Sequence, residues 1–210
     1  MSLPLRCAPL TAALVAICAA LVALWAAPAG AQQPWSGLDA ATQIRLAVQA
    51  APQELRDGAA VQGYDRSGAF VGLRPGVNEL ICMAPNPSSP QLEVSCHHAG
   101  LEPFFARGRA LAAQGVSGEE RVTARWREWE EGRLSIPYGA IAYVLTGTGF
   151  DAASGAIEGA YLRWVIYTPM ATTATTGIPE QPSAGGPWLM LPGTPGAHIM
   201  ITPPRPGGGG

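Results

Sequence analysis

The chain carries three histidines, and every one of its 13 basic side chains is an Arg. Without Lys, Schiff-base chemistry, a phosphate-loop lysine and a lysine general base are excluded at the outset. Any acid–base or ligand chemistry must therefore come from His97, His98 and His198, from carboxylates, from Tyr or from Arg. The run Cys96-His97-His98 leads toward a helix opened by Pro103. An imidazole there can meet the helix N-terminus, whose dipole favours the neutral ring. On a strand, His97 and His98 point to opposite faces, so at most one of them can share a site with His198. One of the two with His198, plus a carboxylate or the Met200 sulfur, makes a weak metal set. The HxH, HExxH and CxxC spacings that would support it are absent. Separate hydrogen-bonded histidines are the plainer expectation, and no cofactor is expected.

Nucleophilic chemistry has no signature either. There is no GxSxG elbow, and Gly115-Val116-Ser117-Gly118 reads as a helix cap. The acids gather over 119–131, and Asp151 sits among Gly149 and Ser154 as a turn residue, so no glycosidase-like carboxylate pair stands out. His198 is left as the catalytic candidate, acting as base or ligand. Trp188, His198 and Met200, with Arg163 for an anionic group, form the candidate ligand-binding set. The net charge of −2 argues against a nucleic-acid partner, which needs a basic face.

Cys82 and Cys96 flank Pro85-Asn86-Pro87-Ser88-Ser89-Pro90, a turn cluster between two short apolar runs. A hairpin centred at position 89 sets the two cysteines directly opposite, and a disulfide follows. Closing a loop of about fifteen residues stabilises by about 3 kcal/mol in the chain-entropy picture.

The elements that must position these residues fall into blocks. Ser36 can cap a helix with Asp39 as its reciprocal partner, and Leu38, Ala41, Ile44 or Arg45, Val48 and Ala51 then recur on one face. Short strand-like runs follow over 59–64, 69–73 and 79–84, parted by Asp65-Arg66-Ser67-Gly68 and Pro75-Gly76. A helix begins at Pro103 and ends near Gly115, and a second opens on the capping box Ser117/Glu120. In that second helix Val122, Trp126 and Trp129 mark the apolar stripe. The charge run Arg125 to Glu131 reads as its solvated face, and a Trp126/Trp129 ligand platform is the alternative to a core role. Ala140–Leu145 and Ala160–Ile166 alternate and pair around a hairpin. Residues 168–196 read as a long loop, 197–202 as the last strand and 203–210 as a loose Pro/Gly tail. Helices and antiparallel strands in separate blocks imply an α+β class: one domain over 32–202, an antiparallel sheet packed by about three helices, and one hairpin disulfide.

Residues 1–31 read as a secretory signal. Arg6 precedes an apolar run from Leu10 to Ala27, Pro28 breaks it, and Ala29-Gly30-Ala31 offers small residues for cleavage. A retained anchor is the alternative, since the run approaches spanning length. Cleavage after Ala31 removes Cys7 and Cys18 and leaves the Cys82/Cys96 pair, as an oxidising compartment favours.

The block Gly185-Gly186-Pro187-Trp188-Leu189-Met190 with Pro192-Gly193-Thr194-Pro195-Gly196-Ala197-His198-Ile199-Met200 resembles one found in a family of uncharacterised exported bacterial proteins. Pro75-Gly76-Val77-Asn78-Glu79-Leu80-Ile81-Cys82-Met83 is similar to that family's Gly-x-Asn-x-x-x-Cys segment, and Ala142-Tyr143-Val144-Leu145-Thr146-Gly147 is a looser third match. The resemblance implies export and a shared fold, and it brings no activity. Where the family tends to place an acid soon after the second Cys, this chain has His97 and His98. The composite expectation is a periplasmic or secreted, disulfide-stapled, non-enzymatic binding or interaction domain for a small ligand or an envelope protein. It would be free of the membrane after cleavage. An exported hydrolase-like enzyme or a metal-binding protein using His198 is the alternative.

Overall fold

The computed structural model of the chain describes residues 35–182 and 185–205. The expected signal segment, 1–31, lies outside these residues, as do 206–210 of the expected tail.

Helix α1 (Ala40–Ala47) starts at Asp39, whose carboxylate accepts the Thr42 N–H at 2.7 Å. The cap is Asp39 rather than Ser36: a short acidic side chain satisfies the first turn and also suits the helix dipole. Strands β1 (Ala60–Tyr64), β2 (Phe70–Arg74), β3 (Leu80–Met83) and β4 (Leu92–His98) follow. Helices α2 (Glu102–Ala113) and α3 (Gly118–Glu130) come next, α3 opened by the complete Ser117/Glu120 capping box. The chain then returns to strands β5 (Ile141–Gly147), the small pair β6 (Gly149–Phe150) and β7 (Ile157–Glu158), and β8 (Tyr161–Tyr167). A single turn of helix, α4 (Thr173–Thr176), precedes β9 (Pro187–Met190) and β10 (His198–Ile201). The class is α+β.

Eight strands form one sheet in the order β2-β1-β3-β4-β5-β8-β10-β9. The sheet is mixed, not purely antiparallel, because β3 runs parallel to β1 on the side away from β2. Gly76 makes that crossover possible. A Cβ there would lie 2.5 Å from the Ala60 backbone nitrogen, so only glycine lets the connection hug the start of β1. The Val77 N–H donates to the Gly58 carbonyl at 2.7 Å, and the Asn78 amide nitrogen to the Leu55 carbonyl at 2.8 Å. A second difference lies at the C-terminal end. Pro187–Met190, expected in a loop, pairs with β10 as the edge strand, where a proline at the first position costs no ladder bond.

Each sheet face has its own core. On the first, Val61, Leu92, Val94 and Leu145 meet Leu46 and Ala47 of α1. Cys82 and Cys96 belong to this face; they are register partners and are bonded at an S–S distance of 2.06 Å, as their spacing predicts. On the second face, Ala142, Val165, Tyr167 and Met200 meet Leu101 and Phe104 beneath α2.

Two expectations about polar surface change. Glu128 is 7% exposed, and Arg107 of α2 grips its carboxylate through Nε and Nη2 at 2.7–3.0 Å. The charge run of α3 is therefore partly an inner face, turned toward the neighbouring helix where opposite charge awaits it. The start of the tail is held: the Tyr161 hydroxyl donates to the Pro203 carbonyl at 2.7 Å, and Arg205 lies over the Tyr161 ring. Among the described residues no helix is long and apolar enough to cross a membrane.

Candidate functional site

Strand pairing decides which side chains meet. The registers His97↔Ala142, Ala142↔Val165, Val165↔Met200 and Met200↔Trp188 place these five residues in one row across the second face. Arg163 lies two residues before Val165 and Tyr167 two after it, on the same face. Tyr167 pairs with His198 in the next row. The expected ligand set of Trp188, His198, Met200 and Arg163 thus shares one face, under or beside α2.

Its members do different things. Met200 is buried in the second core, and Trp188 packs against that core. The Trp188 indole N–H is buried and meets no acceptor among the described residues. Arg163 approaches Glu93 at 3.4 Å. His198 lines a cavity.

A broad depression, about 690 Å³, lies over the α2–α3 turn. Its lining of Ser117, Glu119, Glu120, Thr123 and Arg127 is exposed, and Ser117 and Glu120 are already used in the capping box. It is open surface. Two smaller cavities beneath α2 hold the buried polar groups.

The first, about 280 Å³, has Ala142, Val144, Val165 and Met83 for its apolar lining, with Ser95 and Glu93 along β4. At one end stands His97, 1% exposed, with its ring 4.7 Å from that of Phe105. Its Nε2 is 2.9 Å from an oxygen of Glu102, the first residue of α2. The other Glu102 oxygen accepts from Gln62 at 3.1 Å and also from Arg109. Burial pushes the Glu102 carboxyl up, but the hydrogen bonds from His97 and Gln62 and the Arg109 charge outweigh it and hold the group down at about 2.

The second cavity, about 200 Å³, lies between α2, α3 and the β9–β10 connection. Phe105 and Tyr167 line both cavities, and their rings pack edge-on at 6.0 Å. Here the His198 Nδ1 is 2.7 Å from the Gly196 carbonyl. That contact fixes the tautomer with hydrogen on Nδ1 and leaves Nε2 an acceptor. Burial lowers the His198 pKa below its usual 6.5, the Gly196 bond opposing, so the ring is neutral at physiological pH. Burial also raises the Tyr167 phenol to about 12, so its hydroxyl stays a donor.

The three histidines do not assemble. His97 is tied to Glu102, His98 accepts the Gly100 N–H at 3.0 Å, and His198 faces Gly196. Among the described residues there is no group of three or more His, Cys, Asp or Glu placed to hold a metal ion. The aromatic chain from His97 through Phe105 and Tyr167 to His198 links the two ends without bringing their imidazoles together.

Two contributors escape a reading of the sequence. Glu102 precedes the Pro103 that announces the helix; the available signal is an acid at a helix start within reach of a His that ends the preceding strand. Arg125 sits in the charge run, and what separates it from its neighbours is Gly108 on α2. A Cβ at that position would meet its Nη1 at 3.0 Å. No protein-family model, curated protein or solved structure matches the chain.

Proposed function

We propose that this chain is an exported binding domain that takes a small organic ligand into the paired cavities beneath α2. One observation carries the reading. Two adjoining cavities share the Phe105–Tyr167 wall, and each has a histidine, buried His97 in one and half-buried His198 in the other, whose partner is already fixed. Concave, largely apolar space with a few convergent polar groups of displaced pKa is what small-molecule sites are made of. Binding is favoured over hydrolysis through His198, because that ring is held by a backbone carbonyl and not by a carboxylate. A small ligand is favoured over an envelope protein as the partner, because the polar groups line concave cavities beneath α2 and not an exposed face. Export is supported by the Leu10–Ala27 run, by the resemblance to exported bacterial proteins and by a disulfide of the kind that persists in oxidising compartments.

The test is ligand-observed NMR of a small fragment library against the chain beginning at Gln32, repeated on Ala142→Phe and Val144→Trp. Both substitutions fill the larger cavity. Saturable hits that weaken at least tenfold in whichever variant keeps its fold support the proposal. No saturable hits, or hits that bind both filled variants and a Val122→Trp variant of the smaller cavity unchanged, overturn it.

A second reading rests on the 2.9 Å His97–Glu102 contact beside Ser95, an oriented imidazole in a cavity with a hydroxyl. Turnover of p-nitrophenyl acetate that disappears in both Ser95→Ala and His97→Gln would favour it.

A further inference from the structure

The smaller cavity has an unusual balance of polar groups. Arg125 is half-buried on α3, with its guanidinium 4.1 Å above the Phe104 ring. Its Nε donates to the Arg121 carbonyl at 3.2 Å and its Nη1 to the Phe104 carbonyl at 3.4 Å. Among the described residues no carboxylate pairs with it and Nη2 has no hydrogen-bond partner. Tyr167 and Trp126 bring a hydroxyl and an indole N–H to the same lining, and neither makes a hydrogen bond to another described residue. Gly196 makes room for that indole, since a Cβ there would lie 2.8 Å from Trp126 Nε1. Neither Asp nor Glu lines the cavity. A half-buried cation and two neutral donors therefore face one space that offers no negative charge in return, an arrangement completed by an anion.

The remaining lining defines the rest of the ligand. Phe104, Phe105 and Val122 are apolar, and Leu191 stands at the edge. Leu191 and Met190, the register partner of His198, are 40% and 38% exposed. A large apolar residue held in left-handed backbone at φ 56°, as Leu191 is, is uncommon. The cavity volume is about 200 Å³. It suits one ring or a short chain bearing one carboxylate.

We infer that the smaller cavity is a carboxylate-binding site for a small aromatic or aliphatic organic acid, with the carboxylate on Arg125, Trp126 and Tyr167 and the apolar body toward Leu191. The inference rests on the binding-domain reading above and names the ligand class for one of its two cavities. Arg125 Nη2 donates to one carboxylate oxygen and the Trp126 and Tyr167 donors serve the other, a two-oxygen arrangement that a spherical halide cannot use as well. His198 Nε2 adds an acceptor that selects for an acid also carrying a hydroxyl or amide N–H.

The experiment titrates the chain beginning at Gln32 with benzoate and with its uncharged counterpart benzyl alcohol. Inorganic phosphate serves as the anion without an apolar body. Calorimetry gives the affinities, and the Trp126 indole N–H resonance reports occupancy of the cavity. Two variants accompany it. Arg125→Gln removes the cation; Leu191→Asp places a negative charge at the mouth on an exposed residue, and Asp adopts left-handed backbone more readily than Leu. The expected result is saturable benzoate binding that shifts the Trp126 resonance, is at least tenfold tighter than benzyl alcohol, and weakens at least tenfold in either variant that retains the wild-type melting temperature. Equal binding of benzyl alcohol, or binding of phosphate in place of benzoate, overturns the carboxylate assignment and leaves the binding-domain reading standing. Benzoate binding unchanged in Leu191→Asp overturns it too. If neither benzoate nor any member of the fragment library binds, both readings fall together.

Discussion

His97 Nε2 and Glu102 Oε2 lie 2.9 Å apart, joining the penultimate residue of β4 to the first residue of α2 across five positions of sequence. The contact holds a 1%-exposed imidazole against a carboxylate that Gln62 and Arg109 also grip. Strand β4, helix α2 and strand β1, two places away in the sheet, are thereby tied at one carboxyl group.

The acid sensitivity of the fold follows from that carboxyl. Glu102 titrates at about 2 in the folded chain against 4.5 ordinarily, so the unfolded state takes up its proton first as pH falls. The stabilisation is complete above about pH 4.5 and is lost progressively as pH falls toward 2. At 1.36 kcal/mol per pKa unit the full shift would be about 3 kcal/mol, and solvent screening of the partly exposed carboxyl makes its contribution smaller than that. Urea unfolding at several pH values should show Glu102→Gln less stable than wild type at neutral pH, with the gap closing below pH 4. Parallel stability curves for the two proteins would assign the shift elsewhere.

Removing the Cys82–Cys96 bond is expected to lower stability by about 3 kcal/mol, the chain-entropy value for a closed loop of about fifteen residues. Both sulfurs are fully buried in the core under α1, so the double Ser variant also places two hydroxyls there. Guanidinium unfolding of oxidised wild type, reduced wild type and the double Ser variant separates the two effects. The reduced protein should fall by the loop value alone, and the variant by more.

What the residue pattern disclosed and what it hid divide along the range of the interaction. The hairpin disulfide, the Ser117/Glu120 box and the alternation of β5 and β8 are local, because each depends on residues close in sequence or on a period of two. The parallel β1/β3 pair is not local. Pro75-Gly76 looks like an ordinary turn, and only the approach of Ala60 from sixteen residues upstream shows why glycine is required there. The site divides in the same way. His198 and Trp188 stood out as rare residue types in a distinctive block, whereas Arg125 was hidden among like charges. What distinguishes it is the absence of a side chain at Gly108 and the Phe104 ring beneath it. Composition does not record a missing neighbour.

Gly76→Ala tests the crossover directly. The added Cβ meets the nitrogen, Cα and Cβ of Ala60, at 2.5, 2.9 and 2.9 Å, and these are backbone or near-backbone atoms that cannot rotate away. Overpacking of this kind costs about 1–3 kcal/mol. The melting temperature should fall, and native-state hydrogen exchange should quicken at Val61 and Gln62 of β1 while β8 and β10 keep their protection. Uniform loss of protection across the sheet would mean that the crossover and the distal strands unfold as one unit.

His198 supplies the opposite signature to a surface histidine. Burial lowers its pKa below the usual 6.5 while the Gly196 carbonyl opposes that shift, so the unfolded chain binds the proton more readily than the folded one. Stability contributed by the neutral ring is therefore fully present above about pH 6.5 and declines as pH falls from there toward the folded pKa. Replacing the ring by Asn, whose amide N–H can still donate to the Gly196 carbonyl, removes the titration while keeping the hydrogen bond at 2.7 Å in the native protein within reach. Unfolding measured between pH 5 and 7.5 should show a steeper decline for wild type than for His198→Asn. Nitrogen chemical shifts of the ring should report hydrogen on Nδ1 throughout the upper part of that range. A ring carrying its hydrogen on Nε2 would break the link to Gly196 and, with it, the acceptor assigned to the cavity.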